Sequence, residues 1–178
     1  MKFSIFDNVK ARNGRICDLE TFLRVCSSTE VAAIAKYLQN ETDDEKRAEA
    51  KKGLPAITWQ ASFSGTRSNN NAVPSGLFML DIDHTDDKTQ DIINKCVGIA
   101  KDAGIVLVSR SISGKGVRVV AECSDKFDNI ADCQKDLAEK IGVEFDGACK
   151  DFARLSFCVP ESYISYLDQS IFQREPKT

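Results

Sequence analysis

The spacing of apolar and polar residues changes once along the chain. Residues 1–53 open with a strand-like piece, Lys2–Val9, and then adopt helical spacing. Leu19, Phe22, Leu23 and Cys26 fall on one helical face behind Asp18, a suitable N-cap. Val31, Ala32, Ile34, Ala35 and Leu38 repeat that spacing after Ser28 or Thr29. The charged run ETDDEKRAEAKK predicts a solvated helix, and Gly53-Leu54-Pro55 ends it. Beyond Pro55 the period shortens to two. Ile57, Trp59, Ala61 and Phe63 alternate with Thr58, Gln60 and Ser62, which predicts a strand over Ala56–Phe63. Ser64–Ser75 follows as a polar loop long enough to suggest function or disorder.

From Gly76 the order becomes regular. Gly76–Asp83 predicts a strand, and Asp86–Ala103 a helix using Ile92, Ile93, Cys96, Val97 and Ala100, with Gly104 as stop. Ile105–Arg110 and Val117–Glu122 are strands around a Gly114-Lys115-Gly116 turn. Asp128–Ile141 is a second amphipathic helix closed by Gly142, and Ala153–Val159 is a final strand. This is an α+β chain with an RRM/ferredoxin-like βαββαβ core, preceded by a mostly helical N-terminal extension with one strand. The expected organisation is 1–53 for the extension of the same domain, 54–165 for the core and 166–178 for a C-terminal tail. In that topology Gly76–Asp83 and Val117–Glu122 are antiparallel central neighbours, with one sheet face open for a site.

Composition adds limits more than direction. At 178 residues, 42% apolar and 29% charged, the chain can bury a core without disulfides. No apolar run is long enough to span a bilayer, and MKFSIFDNVKARNG does not read as a signal peptide, so no membrane partner is expected. Seven scattered cysteines without a CxxC pair read as thiols of a reducing, cytoplasmic compartment rather than a zinc site. A net charge of −3 argues against coating nucleic acid by bulk electrostatics, but not against a locally basic groove.

Three segments carry candidate chemistry. In GLFMLDIDH, alternation sends Phe78, Leu80 and Ile82 to one face and Asp81 and Asp83 to the other, ~7 Å apart at their bases. Two carboxylates at the end of an apolar strand are costly unless a cation sits there. Magnesium or manganese with nucleotide phosphates suits such ligands. Asp86 and Asp87 read instead as first-turn acids facing a helix dipole. In SRSISGKGVRVV, Gly114 and Gly116 permit close backbone approach, while Ser111, Ser113 and Lys115 offer donors to phosphate; an ordinary hairpin turn fits the same residues. Arg118 would lie beside the carboxylates if its side chain takes the same face. In VEFDGACKDFARLSF, Asp146 would supply a third carboxylate and Arg154 a cation for triphosphate; a surface acid and a salt-bridged arginine remain the plainer reading.

Together these segments resemble the archaeo-eukaryotic primase superfamily, in its primase-polymerase branch. That branch shows a strand-borne hDhD, an SxSGxGxH-like strand-turn-strand and a later hD. The matching pieces are Leu80-Asp81-Ile82-Asp83, Ser111–Arg118, and Phe145-Asp146 with Arg154. Residues of roughly 50–160 look most similar to VirE-type N-terminal domains of bacterial mobile elements and phages. The resemblance implies a DNA primase module that joins nucleoside triphosphates on a single-stranded DNA template, beside a helicase or primer-recognition domain. Asp81, Asp83 and Asp146 would hold two Mg2+ or Mn2+ ions. Ser111, Ser113, Gly114, Lys115, Gly116, Arg118 and Arg154 would bind nucleotide, with Arg67 and His84 as further phosphate or template contacts. One departure stands out: the family pattern ends its second motif in histidine, where this chain has Arg118. Arginine binds phosphate bidentately but cannot act as a neutral acceptor. Its charge fits retained activity, and the alternative is a lapsed or non-catalytic nucleotide or single-stranded nucleic-acid binder on an RRM-like fold. A rolling-circle nuclease would need paired histidines and a nucleotide cyclase gives no reason for SISGKG.

Overall fold

The computed structural model describes residues 1–145, 147 and 150–176. Its elements in chain order are β1 (Ser4–Phe6), β2 (Arg15–Ile16), α1 (Leu19–Cys26), α2 (Thr29–Asn40), α3 (Asp44–Lys51), β3 (Ala56–Thr58), β4 (Ala61–Phe63) and β5 (Ala72–Pro74). There follow β6 (Leu77–Ile82), α4 (Thr89–Ala103), β7 (Ile105–Arg110), β8 (Val117–Glu122), α5 (Ile130–Ile141), β9 (Ser156–Phe157) and β10 (Ile164–Leu167). The α+β class stands, and the order βαββα from β6 to α5 is the expected one.

Local signals account for the helix ends. Asp18, Ser28 and Asp43 each accept a hydrogen bond from a first-turn backbone N–H, capping α1, α2 and α3. Gly104 and Gly142 close α4 and α5 in the left-handed conformation.

The main sheet runs β10-β7-β8-β6, all antiparallel. β6 and β8 are antiparallel neighbours as the expected topology has them, but the strand order is not the ferredoxin-like one: β6 lies at the edge and not at the centre, because the last strand pairs with β7. That strand is β10, which crosses the expected core–tail boundary at 165. The segment expected as the last core strand, Ala153–Val159, is a strand only at Ser156–Phe157 and joins a second sheet, β2-β1-β3-β9. The expected strand Ala56–Phe63 is likewise divided. β3 belongs to the second sheet and β4 pairs with β5, because the chain turns at Trp59-Gln60.

Both faces of the main sheet are covered, where one was expected to be open. Phe78, Leu80 and Ile82 pack with Val117, Val119 and Ala121 against α4 and α5. Leu77, Met79, Leu107 and Val120 face the other way, into a core built from Phe3, Ile5, Phe22, Ile57 and Trp59. Phe3 and Phe22 both contact the Trp59 ring. The N-terminal residues therefore form the layer that buries half of the sheet. The expected tail contributes too: Ile171 is fully buried, and Arg174 pairs with Glu122 and Asp168.

An edge strand exposes unpaired backbone groups. Here two buried glutamines cover them: Gln60 Oε1 accepts from the Met79 N–H at 3.0 Å, and Gln134 Nε2 donates to the Met79 carbonyl at 2.9 Å.

Candidate functional site

Alternation along β6 continues past the buried Leu77 and Met79 to Asp81 and Asp83, where the N-terminal layer no longer covers the sheet. Asp81 stands directly across from Arg118 on β8, and Arg118 across from Ser109 on β7. The Arg118 guanidinium takes the Asp81 carboxylate with both arms, Nε to Oδ1 at 2.6 Å and Nη2 to Oδ2 at 3.1 Å. Its Nη1 donates to the Ser156 hydroxyl on β9, so one side chain ties the two sheets together. The Asp81 and Arg118 side chains are only 23% and 14% exposed, which strengthens the pair relative to a surface one. The cation that the sequence demanded beside Asp81 is thus present in the chain itself. Asp83 is exposed one step further on. The Lys51 ammonium of α3 is held below its usual pKa by burial and by Arg47, and the Asp83 carboxylate opposes that shift.

Asp81 borders two open cavities. One, of about 530 Å³, is lined by Arg67, Asn69, Arg118, Asp151, Arg154 and Phe157 among others. The second, of about 260 Å³, is lined by Asp81, Asp83, Glu144 and Phe145. An arginine-rich hollow and a carboxylate hollow therefore meet at one residue. The first suits phosphate groups, and the hard oxygen donors of the second suit Mg2+ or Mn2+, which commonly take few protein carboxylates plus substrate phosphates. Among the described residues no group of three metal-ligating side chains converges. Asp146, the expected third ligand, lies outside the described residues.

The other expected residues are placed as follows. Arg154 lines the larger cavity but sits in the loop before β9, exposed, rather than on a strand. Arg67 is anchored: its guanidinium donates to the Ala153 and Val9 carbonyls at 3.2 Å each and lies over the Phe6 ring. His84 is exposed in the turn after β6 with φ of 53°, a left-handed conformation rare for residues other than glycine. Next to it, Thr85 holds the turn by donating from its backbone N–H to the Lys115 carbonyl at 3.1 Å. Gly116 is needed there, because a Cβ would lie 2.8 Å from the Ile82 carbonyl oxygen. Ser111 and Ser113 bond each other at 3.0 Å. Ser113, Gly114 and Lys115, however, border a separate cavity rather than either one at Asp81.

Gln60, Asn69, Asp151 and Ser156 also shape the site, although none was among the expected site residues. Gln60 carried a signal, an amide inside an apolar alternation; its Nε2 also donates to the Asp151 carbonyl at 2.8 Å. Ser156 carried none, since only the approach of β9 gives it a role.

The fold and site define a layered α+β domain with an acid–arginine pair at an edge-strand terminus, where a basic and an acidic hollow adjoin. The chain belongs to the BT4734-like N-terminal domain family, whose model matches residues 49–163. That span contains β3 to β9 and every residue of the two cavities. No curated protein and no solved structure matches the chain. No helix among the described residues is long and apolar enough to cross a membrane.

Proposed function

We propose that the chain is a metal-dependent nucleotidyltransferase of the primase-polymerase kind, extending or initiating a strand on a single-stranded DNA template. The observation that carries this reading is the meeting of the arginine cavity and the carboxylate cavity at Asp81. The resemblance of the DxD, SISGKG and FD segments to primases agrees with it.

Asp81 and Asp83, with Asp146, would hold Mg2+ or Mn2+. When bound, such ions supply charge stabilisation to the attacking hydroxyl oxygen and the pyrophosphate leaving group. Arg118 and Arg154 offer guanidinium groups to the phosphates of a nucleoside triphosphate. Arg67 holds the Val9 and Ala153 carbonyls and so shapes the wall of the hollow. The β6–α4 turn, pinned by Thr85 to the SISGKG turn, sets where Asp83 emerges. A helicase or primer-recognition partner fits a module of this size.

The test is primer synthesis and extension on single-stranded DNA with labelled nucleotides in manganese, magnesium or EDTA. Metal-dependent products that vanish in Asp81→Ala/Asp83→Ala are expected. Absence of products from the wild type overturns the reading. A specific observation supports a second one, nucleotide binding without transfer: both oxygens of Asp81 are already taken by Arg118. Products from Arg118→His but not from the wild type would select it.

A further inference from the structure

The SISGKG turn borders a third cavity, of about 440 Å³, lined by Gln39, Arg110, Ser113, Gly114, Lys115, Ser162 and Tyr163. Its lining holds two cations, an aromatic ring, an amide and hydroxyls, and no carboxylate. Among the described residues neither Arg110 nor Lys115 makes an ion pair, whereas Arg15, Lys52, Arg118, Lys140 and Arg174 each do. The Arg110 guanidinium is steadied by a neutral group instead, donating to Gln90 Oε1 at 2.9 Å. In a chain of net charge −3, a carboxylate-free cleft with two uncompensated cations attracts an anion locally.

The walls are built rather than incidental. Ile112 at the root of the turn is buried among Val31, Leu38 and Leu54, and the Tyr163 ring packs against the same cluster. The Tyr163 hydroxyl accepts from Gln39 Nε2 at 2.7 Å, so the ring is held from both ends. Gly114, with φ of 76° and nothing within 4 Å of a Cβ position, keeps the floor open.

We propose that this cleft binds single-stranded nucleic acid, with Arg110 and Lys115 on successive phosphates and Tyr163 stacking a base. Cations alternating with an aromatic platform suit a strand better than an isolated phosphate. The proposal rests on the nucleotidyl-transfer reading for its occupant and reassigns the outer face of the turn from triphosphate to template.

The test is fluorescence anisotropy of a labelled single-stranded oligonucleotide, in EDTA and without nucleotides, across a range of salt. Arg110→Gln/Lys115→Gln is expected to weaken binding at least about tenfold and to flatten the log–log salt slope by about 1.4, at ~0.7 per phosphate. Tyr163→Ala is expected to cost about tenfold while Tyr163→Phe binds as the wild type does. A wild type that binds the strand but forms no products in manganese or magnesium sinks only the transfer reading and leaves the strand site standing. No binding by the wild type overturns the proposal. So does an unchanged slope in the double variant, or loss of labelled nucleoside triphosphate binding in these variants with the oligonucleotide unaffected.

Discussion

At Asp81 a single carboxylate faces two demands. Within the chain it is half of a bidentate pair; for transfer chemistry it must also serve a cation. Arginine suits the first role because its planar fork matches the carboxylate, and lysine would not. Arg118→Ala strands a mostly buried carboxylate and removes the tie to Ser156, so a loss of about 2–4 kcal/mol in urea unfolding is expected. Asp81→Ala/Arg118→Ala should lose less than the two single variants combined, with a coupling of about 1–3 kcal/mol. Additive losses would show that the pair does not act as a unit. The sequence made Asp81, Asp83 and the facing of Arg118 legible, since alternation and an antiparallel register suffice. It left Ser156 and the anchoring of Arg67 hidden, because both depend on carbonyls and hydroxyls far away in the chain.

At the scale of elements, β6 is an edge strand that does not behave as an open edge. Gln60 and Gln134 occupy the Met79 backbone groups that a neighbouring strand would otherwise take. Gln60→Leu would leave the Met79 N–H buried without its acceptor, at a cost of about 1–3 kcal/mol. Hydrogen exchange at the Met79 amide is expected to accelerate at the same time, and unchanged protection there would refute the clamp. The same substitution frees the Asp151 carbonyl in the wall of the arginine cavity, so the edge clamp and the site share a residue.

For the whole molecule, the layer joining the two sheets contains buried thiols. Burial raises Cys17 and Cys26 from an ordinary value near 9 to about 12, and raises Cys158 well above that ordinary value. A thiol whose folded pKa is raised keeps its proton longer in the folded state. Its contribution to stability is therefore complete below pH 9 and is lost as pH rises toward 12. Urea midpoints should be level on this account from pH 7 to 9 and fall above it, and Cys17→Ala/Cys26→Ala should flatten that fall. An equal fall in wild type and variant would place the alkaline sensitivity elsewhere.

The linear pattern by itself determined the α+β class, the helices α1 to α5 and the face of β6 that bears Asp81 and Asp83. These follow from periodicity and from capping chemistry, which act over a few residues. Only the tertiary structure decided that β10 and not Ala153–Val159 completes the main sheet, that β6 lies at its edge, and that the N-terminal layer closes one face. Those outcomes depend on which distant apolar surfaces bury one another, as Phe3 and Phe22 do against Trp59, and no short-range spacing encodes that choice. The same holds for the site: the strand supplies its acids, but packing brings β9 and the Arg67 loop around them and turns Ser113, Gly114 and Lys115 to a separate cavity.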